Sequence, residues 1–327
     1  MTMQLSEFEL IKTYFSPLSE QTEGAFNLTD DAAVLEVPVE QSLVVTTDTL
    51  VEGIHFLSED GPKDIAAKLL RVSLSDLAAM GAMPAYYSLA IAVTPFMSVE
   101  WFKEFSQNLA ADQAEFGITL IGGDTVSTSG PLTLSLTAMG FVKTGTALRR
   151  SGACIGDDIW VSGSIGDSAL GLKVAKGKFD SLAAENKDYL LSRYRRPLPR
   201  TSLGQELINN VHSVIDVSDG LVADLGHICK TSDVGAKILM GTIPLSVAGK
   251  EAIAIKPRSI DLILSGGDDY ELLFTADSTF QKLSKIISER TNVSLTKIGT
   301  IIKTKSVCVL DLNGKRYPVS KAGYTHF

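Results

Sequence analysis

A chain of 327 residues that is 45% hydrophobic and 21% charged has the composition of a soluble globular protein with room for two domains. Its formal net charge of −8 argues against binding to a nucleic-acid backbone, although phosphates can still bind through a bridging cation. We find no leader sequence and no apolar stretch long enough to span a membrane, so we expect a cytoplasmic protein. The cysteines show no metal-ligand spacing, and we interpret them as small buried side chains.

Hydrophobic periodicity in the first half predicts helices that alternate with strands. The predicted helices are at 8–15, 64–80 and 98–116, and the predicted strands are at 43–45, 86–93, 118–121 and 132–142. Ser98 is placed to cap the third helix, and Gly117 is placed to end it. The strands at 86–93 and 132–142 alternate apolar with polar residues, which favours an antiparallel or mixed sheet with two unlike faces.

Acidic residues recur where these predicted elements give way to polar sequence. Asp48 follows one apolar run, and Asp124 follows a Gly-Gly pair after another. Asp31 precedes an apolar run that we interpret as a further strand, and Asp76 lies near the end of a predicted helix. Each acid by itself is typical of a turn or of a solvated surface.

A polar loop of small residues at 143–156 predicts a boundary between two domains, residues 1–148 and 149–327. In the second half, a strand at 213–216 ends in Asp216 and is followed by Ser218 and Asp219 at the start of a helix. A Gly-Gly-Asp-Asp turn at 266–269 leads into another strand. The glycines at 163–171 match neither the dinucleotide-binding fingerprint nor the P-loop.

The acids have a collective meaning that none has alone. If they converge on one cleft, their charges repel strongly unless cations neutralise them. The acids concerned are Asp31, Asp48, Asp76, Asp124, Asp216 and Asp219. Several Mg²⁺ ions are the natural solution, since Mg²⁺ held by a few carboxylates commonly carries nucleotide phosphates. With Arg150 as a bidentate phosphate contact, the residues predict a Mg²⁺-dependent enzyme that acts on phosphates.

Six motifs spread over nearly the whole chain resemble those of the thiamine-monophosphate kinase family, in that family's order. They are TDTLVEGIHF at 47–56, SLSDLAAMGA at 73–82, IGGDT at 121–125, RSGA at 150–153, DVSDGL at 216–221 and SGGDDYEL at 265–272. The acid-rich motifs are shared with aminoimidazole ribonucleotide synthetase, selenophosphate synthetase and a hydrogenase maturation protein. The first motif and the ending GYTHF at 323–327 are more specific to the thiamine-phosphate branch.

The resemblance implies an α/β chain of α+β character with two domains. A mixed or antiparallel sheet in the N-terminal domain would close a barrel with a second copy at a homodimer interface, and the C-terminal domain would be α/β. The enzyme would transfer the γ-phosphoryl group of ATP directly to thiamine phosphate, giving thiamine diphosphate and ADP. Because the acceptor oxygen is already ionised, positioning and charge neutralisation would suffice, without a protein nucleophile.

The resemblance also implies a role for each matching residue. The implied ligands of several Mg²⁺ ions are Asp31, Thr46, Thr47, Asp48, Asp76, Asp124, Asp216 and Asp219. The implied ATP contacts are Gly123, Asp124, Arg150 and Ser218, and the implied thiamine phosphate contacts are His55, Asp268 and Tyr324. Two positions depart from the family pattern. Thr29 replaces the usual Gly before an acid pair, and Asp268 replaces the usual Glu, which reaches about 1.5 Å further.

Two alternative functions remain open from the sequence. One is another ATP-dependent enzyme of the same superfamily, for example one that acts on a carbamoyl or formamidine substrate. Its hydrogenase-maturation branch would place a cysteine where Phe327 stands. The other is a non-catalytic protein that binds a nucleotide or thiamine phosphate, although binding alone would not need so many metal ligands.

Overall fold

The computed structural model describes residues 6–95, 97–319 and 323–324. The chain divides into two compact units, one comprising Met1–Leu77 with Ala82–Gly145 and the other Ala78–Gly81 with Thr146–Phe327. Each unit is built on its own β-sheet. Within the described ranges, we find no helix whose length and apolar character would let it cross a membrane.

The elements alternate along the chain much as the hydrophobic periodicity predicts. The helices are α1 (Glu7–Leu10), α2 (Pro62–Ala79), α3 (Val99–Phe116), α4 (Asp167–Ala175), α5 (Ala184–Arg195), α6 (Thr201–Leu207), α7 (Leu221–Ser232), α8 (Val247–Ile255), α9 (Ile260–Ser265) and α10 (Phe280–Thr291). The strands are β1 (Gln41–Val51), β2 (Met83–Val93), β3 (Thr119–Ser127), β4 (Thr133–Lys143), β5 (Asp158–Ser162), β6 (Ser213–Asp216), β7 (Gly235–Leu239), β8 (Leu272–Ala276), β9 (Leu295–Ile302), β10 (Val307–Leu310) and β11 (Arg316–Tyr317). A π-helical turn at Ile11–Phe15 continues α1.

Helix α3 has the ends that the sequence predicts. The Ser98 side chain accepts a hydrogen bond from the Trp101 N–H, which satisfies one of the unpaired donors at the start of the helix. Gly117 adopts φ +66° after the last turn, a left-handed conformation that costs a glycine little.

The sheet of the first unit is mixed, with strand order β1-β4-β2-β3. Its β1–β4 and β4–β2 pairs are antiparallel and its β2–β3 pair is parallel. One face is a core in which Leu134, Leu136 and Ala138 are fully buried. On the other face of β1, Leu43, Val45, Thr47 and Thr49 are exposed, so this face of the sheet is open within the unit.

Three strand predictions in the first unit are wrong. Strand β1 continues through Asp48, and β3 continues through Asp124, so both acids lie within strands rather than after them. Hydroxyl pairs of Thr47 with Thr137 and of Thr49 with Ser135 extend the β1–β4 pairing into this polar sequence. The apolar residues at 32–35 form no strand.

The second unit contains a seven-stranded sheet, in the order β11-β10-β7-β9-β5-β8-β6. The β7–β10 pair is parallel and the other pairs are antiparallel. Part of its core is an aromatic cluster in which Phe274 stacks on Trp160 and meets Phe280 edge-on, at centroid distances of 6.5 and 5.3 Å. Cys229 is buried as expected, but Cys154 is exposed, contrary to our interpretation of the cysteines.

The aromatic cluster gives a first prediction. Phe274→Ala is expected to lower the free energy of unfolding by about 3–5 kcal/mol, because it opens a cavity against two rings at a fully buried position. Val247 is exposed in the same unit and serves as the control. Val247→Ala is expected to change the free energy of unfolding by less than about 0.5 kcal/mol. Urea denaturation followed by circular dichroism measures both. Equal effects would show that the cluster adds nothing to stability.

Candidate functional site

Two carboxylates of the first unit are held by hydroxyl groups between β1 and α2. The Ser73 hydroxyl donates to Asp48 Oδ2 at 2.6 Å, and the Thr46 hydroxyl donates to Asp76 Oδ2. Thr46 and Asp48 share a face of β1 because their positions differ by two, and that face looks toward α2. The structure therefore brings three of the predicted metal ligands together.

Electrostatic repulsion makes this group unfavourable in the absence of a cation. Burial, and then the negative charge of Asp76, raise the pKa of Asp48 to about 6, against the lowering effect of the Ser73 hydrogen bond. The side chains of Thr46, Asp48, Ser73 and Asp76 present carboxylate and hydroxyl oxygens, the ligand type that Mg²⁺ prefers. The group therefore fits a Mg²⁺ ion.

Thr47 and His55 lie beside this group. The Thr47 side chain is on the opposite face of β1, bonded to Thr137, so the structure does not bring it to Asp48. His55 lies in the turn after β1, where its Nδ1 accepts the Val51 N–H at 3.0 Å. Because an accepting nitrogen carries no proton, the neutral ring has its proton on Nε2.

A second group of predicted site residues lines a pocket within the first unit. Asp31 comes from the segment before β1, and Gly123 and Asp124 come from β3. A side chain at Gly123 would have its Cβ 1.9 Å from the Leu89 carbonyl oxygen, so the close approach of β2 and β3 requires glycine there. The structure thus joins Asp31 with Asp124, which are far apart in sequence.

The pairing of the strands relates the two groups within the first unit. Asp48 is on β1 and Asp124 is on β3, and these are the two edge strands, with β4 and β2 between them. The pairing register aligns Asp48 with Leu136 and Leu89, but aligns Asp124 with Ala90 and Ser135. Residues aligned across a sheet share a face, so Gly123 falls in the same row as Asp48, and Asp124 follows one position later on the edge strand. Leu89 of this row also lines the pocket that contains Asp31 and Asp124.

In the second unit, backbone hydrogen bonds connect four further predicted site residues. The Asp268 N–H donates to the Ser218 carbonyl at 2.8 Å, and the Tyr324 N–H donates to the Asp219 carbonyl at 2.9 Å. Asp268 and Tyr270 adopt φ +69° and +52°, a left-handed region that side chains disfavour. The Tyr270 hydroxyl donates to Asp268 Oδ1 at 3.2 Å. The rest of the ending, 325–327, lies outside the described residues.

Asp216 is the last residue of β6 and is buried, whereas Ser218 and Asp219 beyond the strand end are half-buried. The strand stops before Ser218, so its two-residue period does not set the direction of that side chain. Arg150 is exposed, and its charge acts on Asp224.

Sequence reasoning missed two residues that orient predicted ligands. Ser73 holds Asp48, although it lies in a motif quoted for the family resemblance. Asp224 accepts the N–H groups of Asp219 and Gly220 at 3.1 and 3.0 Å, which fixes the start of α7. Burial raises the pKa of Asp224 to about 7. The negative charge of Asp219 also raises it, while the two backbone donors act to lower it. A carboxylate four residues after Gly220, in the first turn of a helix, was the available signal.

Cys154, Asp157 and His212 of the second unit also lie close enough together to hold a metal ion. Asp157 Oδ2 accepts the Cys154 N–H at 2.7 Å and lies 2.8 Å from His212 Nδ1. These bonds account for the proximity of the three residues without a metal.

Comparison with known proteins supports the resemblance. Residues 29–142 match the family described as AIR synthase related protein, N-terminal domain, and residues 155–311 match its C-terminal domain. The chain is 40% identical over 326 residues to the thiamine-monophosphate kinase of Escherichia coli strain K12, covering 99% of both chains. The thiamine-monophosphate kinase structure from Stenotrophomonas maltophilia K279a has a TM-score of 0.81 at 42% identity and covers 89% of this chain and 91% of that one. The structure of AaThiL complexed with AMPPCP and TMP has a TM-score of 0.77 at 28% identity, covering 99% and 98%.

The raised pKa of Asp48 gives a second prediction, for protein in EDTA. The folded wild type keeps a proton on Asp48 that the unfolded chain releases between about pH 4 and pH 6, so wild-type stability falls as pH rises through this window. Asp48→Asn has no such penalty. We expect the variant to be more stable than wild type by on the order of 2 kcal/mol at pH 7, and equal to it at about pH 3.5. Urea denaturation at several pH values measures the difference, and a difference that does not change with pH would contradict the assignment.

Proposed function

Because the chain belongs to the thiamine-monophosphate kinase family, we propose that it transfers the γ-phosphoryl group of ATP to thiamine phosphate, giving thiamine diphosphate and ADP. The observation that carries this function is 40% identity over 326 residues, essentially the whole chain, to a curated kinase of that name. A structural relative of nearly equal length has been solved with AMPPCP and TMP bound together. An ATP analogue and the acceptor therefore share one complex in that relative.

The chemistry is a direct in-line transfer between two phosphates. The acceptor oxygen of thiamine phosphate is already ionised at neutral pH, so the reaction needs neither a protein nucleophile nor a strong base. The protein has to hold two anionic substrates in line and offset their mutual repulsion. This requirement agrees with a proposed site whose described side chains are carboxylates, hydroxyls, one histidine and one arginine.

We propose that Mg²⁺ ions are held by Asp48, Asp76 and Thr46 at one place and by Asp31 and Asp124 at another. Asp216 and Asp219 of the second unit, with Thr47, complete the proposed ligand set. If bound there, Mg²⁺ would supply positive charge to offset the charge of the phosphates. What the chain itself supplies is the orientation of the ligands, since Ser73 fixes Asp48 and the Thr46 hydroxyl fixes Asp76.

The remaining predicted roles follow the two substrates. We propose that Gly123, Asp124, Arg150 and Ser218 contact ATP, with Arg150 as the bidentate phosphate ligand. We propose that His55, Asp268 and Tyr324 contact thiamine phosphate. His55 presents Nε2–H as a donor suited to a phosphate oxygen. Since Asp268 and Tyr324 both bond to the segment at 218–219, the acceptor and ATP contacts adjoin in the second unit.

We propose that an N-terminal domain, residues 1–148, forms the homodimer and binds ATP with Mg²⁺, while residues 149–327 form the α/β domain. The open face of the β1–β4–β2–β3 sheet supports a dimer, because it exposes Leu43 and Val45 beside a row of hydroxyls. Pairing with a second sheet into a barrel would cover this face and protect both edge strands.

The proposed function predicts that purified protein with ATP, Mg²⁺ and thiamine phosphate forms thiamine diphosphate, measured by chromatography. Asp48→Asn is expected to lower kcat by at least about 100-fold, because it removes a metal-binding charge where phosphate charge must be offset. Glu59→Gln removes an exposed acid of the same unit and should leave kcat unchanged. Turnover of another acceptor without thiamine diphosphate formation would overturn the substrate assignment.

The dimer proposal makes a separate prediction. Val45→Asp puts a charge on the open face of the sheet and is expected to shift the protein from dimer to monomer in analytical ultracentrifugation. Val247→Asp puts the same charge on an exposed position of the second unit and should leave the dimer intact. A monomeric wild type, or a Val45→Asp dimer of unchanged stability, would contradict the proposal.

A further inference from the structure

The loop at 266–271, which carries Asp268, is attached to the second unit on two sides. On the outer side, Asp268 N–H and Tyr270 N–H donate to the carbonyls of Ser218 and Val217 at 2.8 and 2.9 Å. The Val217 N–H donates in return to the Glu271 carbonyl at 2.8 Å. These bonds align the loop with the segment that carries Ser218, but they do not explain why its intervening side chains are acidic and buried.

The inner side of the loop is anchored by Asp269. Its side chain is 1% exposed, and its two oxygens accept the N–H groups of Gly166 and Ser168 at 2.6 and 3.1 Å. These donors are unpaired N–H groups at the N-terminus of α4. Burial raises the pKa of Asp269 to about 8, although both N–H groups act to lower it. Asp269 thus fixes the middle of the loop to a helix.

Glu271 forms the second inner anchor. Its side chain is fully buried and receives Arg193 Nη2 at 2.9 Å and Arg200 Nε at 2.7 Å. The Ser162 hydroxyl donates to it at 2.5 Å and accepts the Leu272 N–H at 2.8 Å. Burial opposes ionisation, but Arg200 and Arg193 bring the pKa of Glu271 below its ordinary value, so it is a carboxylate.

Arg193 connects the anchors to the loop backbone. Its Nη2 lies 2.9 Å from Glu271 Oε1 and 3.2 Å from the Asp269 carbonyl oxygen. Its Nε and Nη1 are buried without a hydrogen-bond partner in the described part of the chain, so its polar contacts there are concentrated on this one nitrogen. Arg200 donates to the Glu271 carboxylate, and among the described residues we find no bond from it to the loop backbone.

We propose that Arg193 is a positioning residue for acceptor binding, holding the 266–271 loop so that Asp268 keeps the conformation that meets thiamine phosphate. The inference rests on the proposed function for the identity of the acceptor. The two anchors, Asp269 and Glu271, flank Tyr270, which has a left-handed backbone conformation. Asp268, immediately before Asp269, is also left-handed. Such a backbone persists only where surrounding contacts over-determine it, and Arg193 supplies the contact that spans both anchors.

Kinetics of Arg193→Met test the proposal, because Met keeps most of the buried stem and removes the donors. We expect the KM for thiamine phosphate to rise about 10-fold or more, while the KM for ATP stays within about twofold. Arg193→Lys retains one charged donor and should recover part of the loss. A general loss of folded protein would instead lower kcat with both KM values unchanged, and that result would overturn the proposal.

Hydrogen exchange provides a readout that does not depend on catalysis. In Arg193→Met, amides of the 266–271 loop should exchange about 10-fold faster, while those of α10 should be unchanged. Arg71→Met is the matched control, since it removes another buried guanidinium, bonded to Asp112 at 2.8 and 3.0 Å in the first unit. It should destabilise the protein without changing exchange in the loop.

A milder variant covers the case in which Arg193→Met fails to fold. Ser162→Ala removes one donor to Glu271 and is expected to raise the KM for thiamine phosphate about two- to fivefold. Unchanged loop exchange in a folded Arg193 variant overturns the positioning role. A wild type that shows no thiamine phosphate turnover overturns the proposed function, and loop exchange then decides the positioning role alone.

Discussion

The burial of negative charge is the constraint on which both units depend. A carboxylate removed from water is costly unless donors or cations replace its hydration. Glu271 in the second unit has two arginines and a hydroxyl, and Asp269 has two N–H groups of a helix start. Asp48 accepts a hydrogen bond from the Ser73 hydroxyl, but the negative charge of Asp76 lies beside it.

This contrast separates acids that serve the fold from acids that serve the chemistry. Glu271, whose pKa Arg200 and Arg193 bring below its ordinary value against the effect of burial, is a carboxylate that needs no cation and can anchor a loop. A half-buried carboxylate whose pKa is raised to about 6 by burial and by a like charge binds a cation favourably, because the cation removes both penalties. For a kinase with two anionic substrates, an incomplete site of this kind is the useful one. The same reasoning places the catalytic burden on orientation rather than on a reactive side chain.

The proposed acceptor site depends in turn on the buried acids of the second unit. Asp268 sits on a strained turn between the segment that carries Ser218 and a buried bracket of Asp269, Glu271 and Arg193. Asp268 is shorter than the Glu usual in the family. Its carboxylate therefore cannot compensate as well for a displacement of this turn, so the position of the turn matters more. In the proposed function, the buried contacts that hold the 266–271 loop thus connect the packing of the second unit to substrate recognition.

Sequence alone determined what depends on neighbours in the chain. The Ser98 cap, the Gly117 stop and the period-two strands were predictable because capping and alternation are local, and the motifs specified the family because they occur in order over the whole length. Only the tertiary structure placed Asp48 and Asp124 within strands, at the two edges of one sheet, since register and strand order follow from pairing between distant segments. It also joined Glu271 to Arg193 and Arg200, which no spacing could indicate. The local sequence thus identified the candidate residues, and long-range packing decided which of their charges are neutralised within the fold.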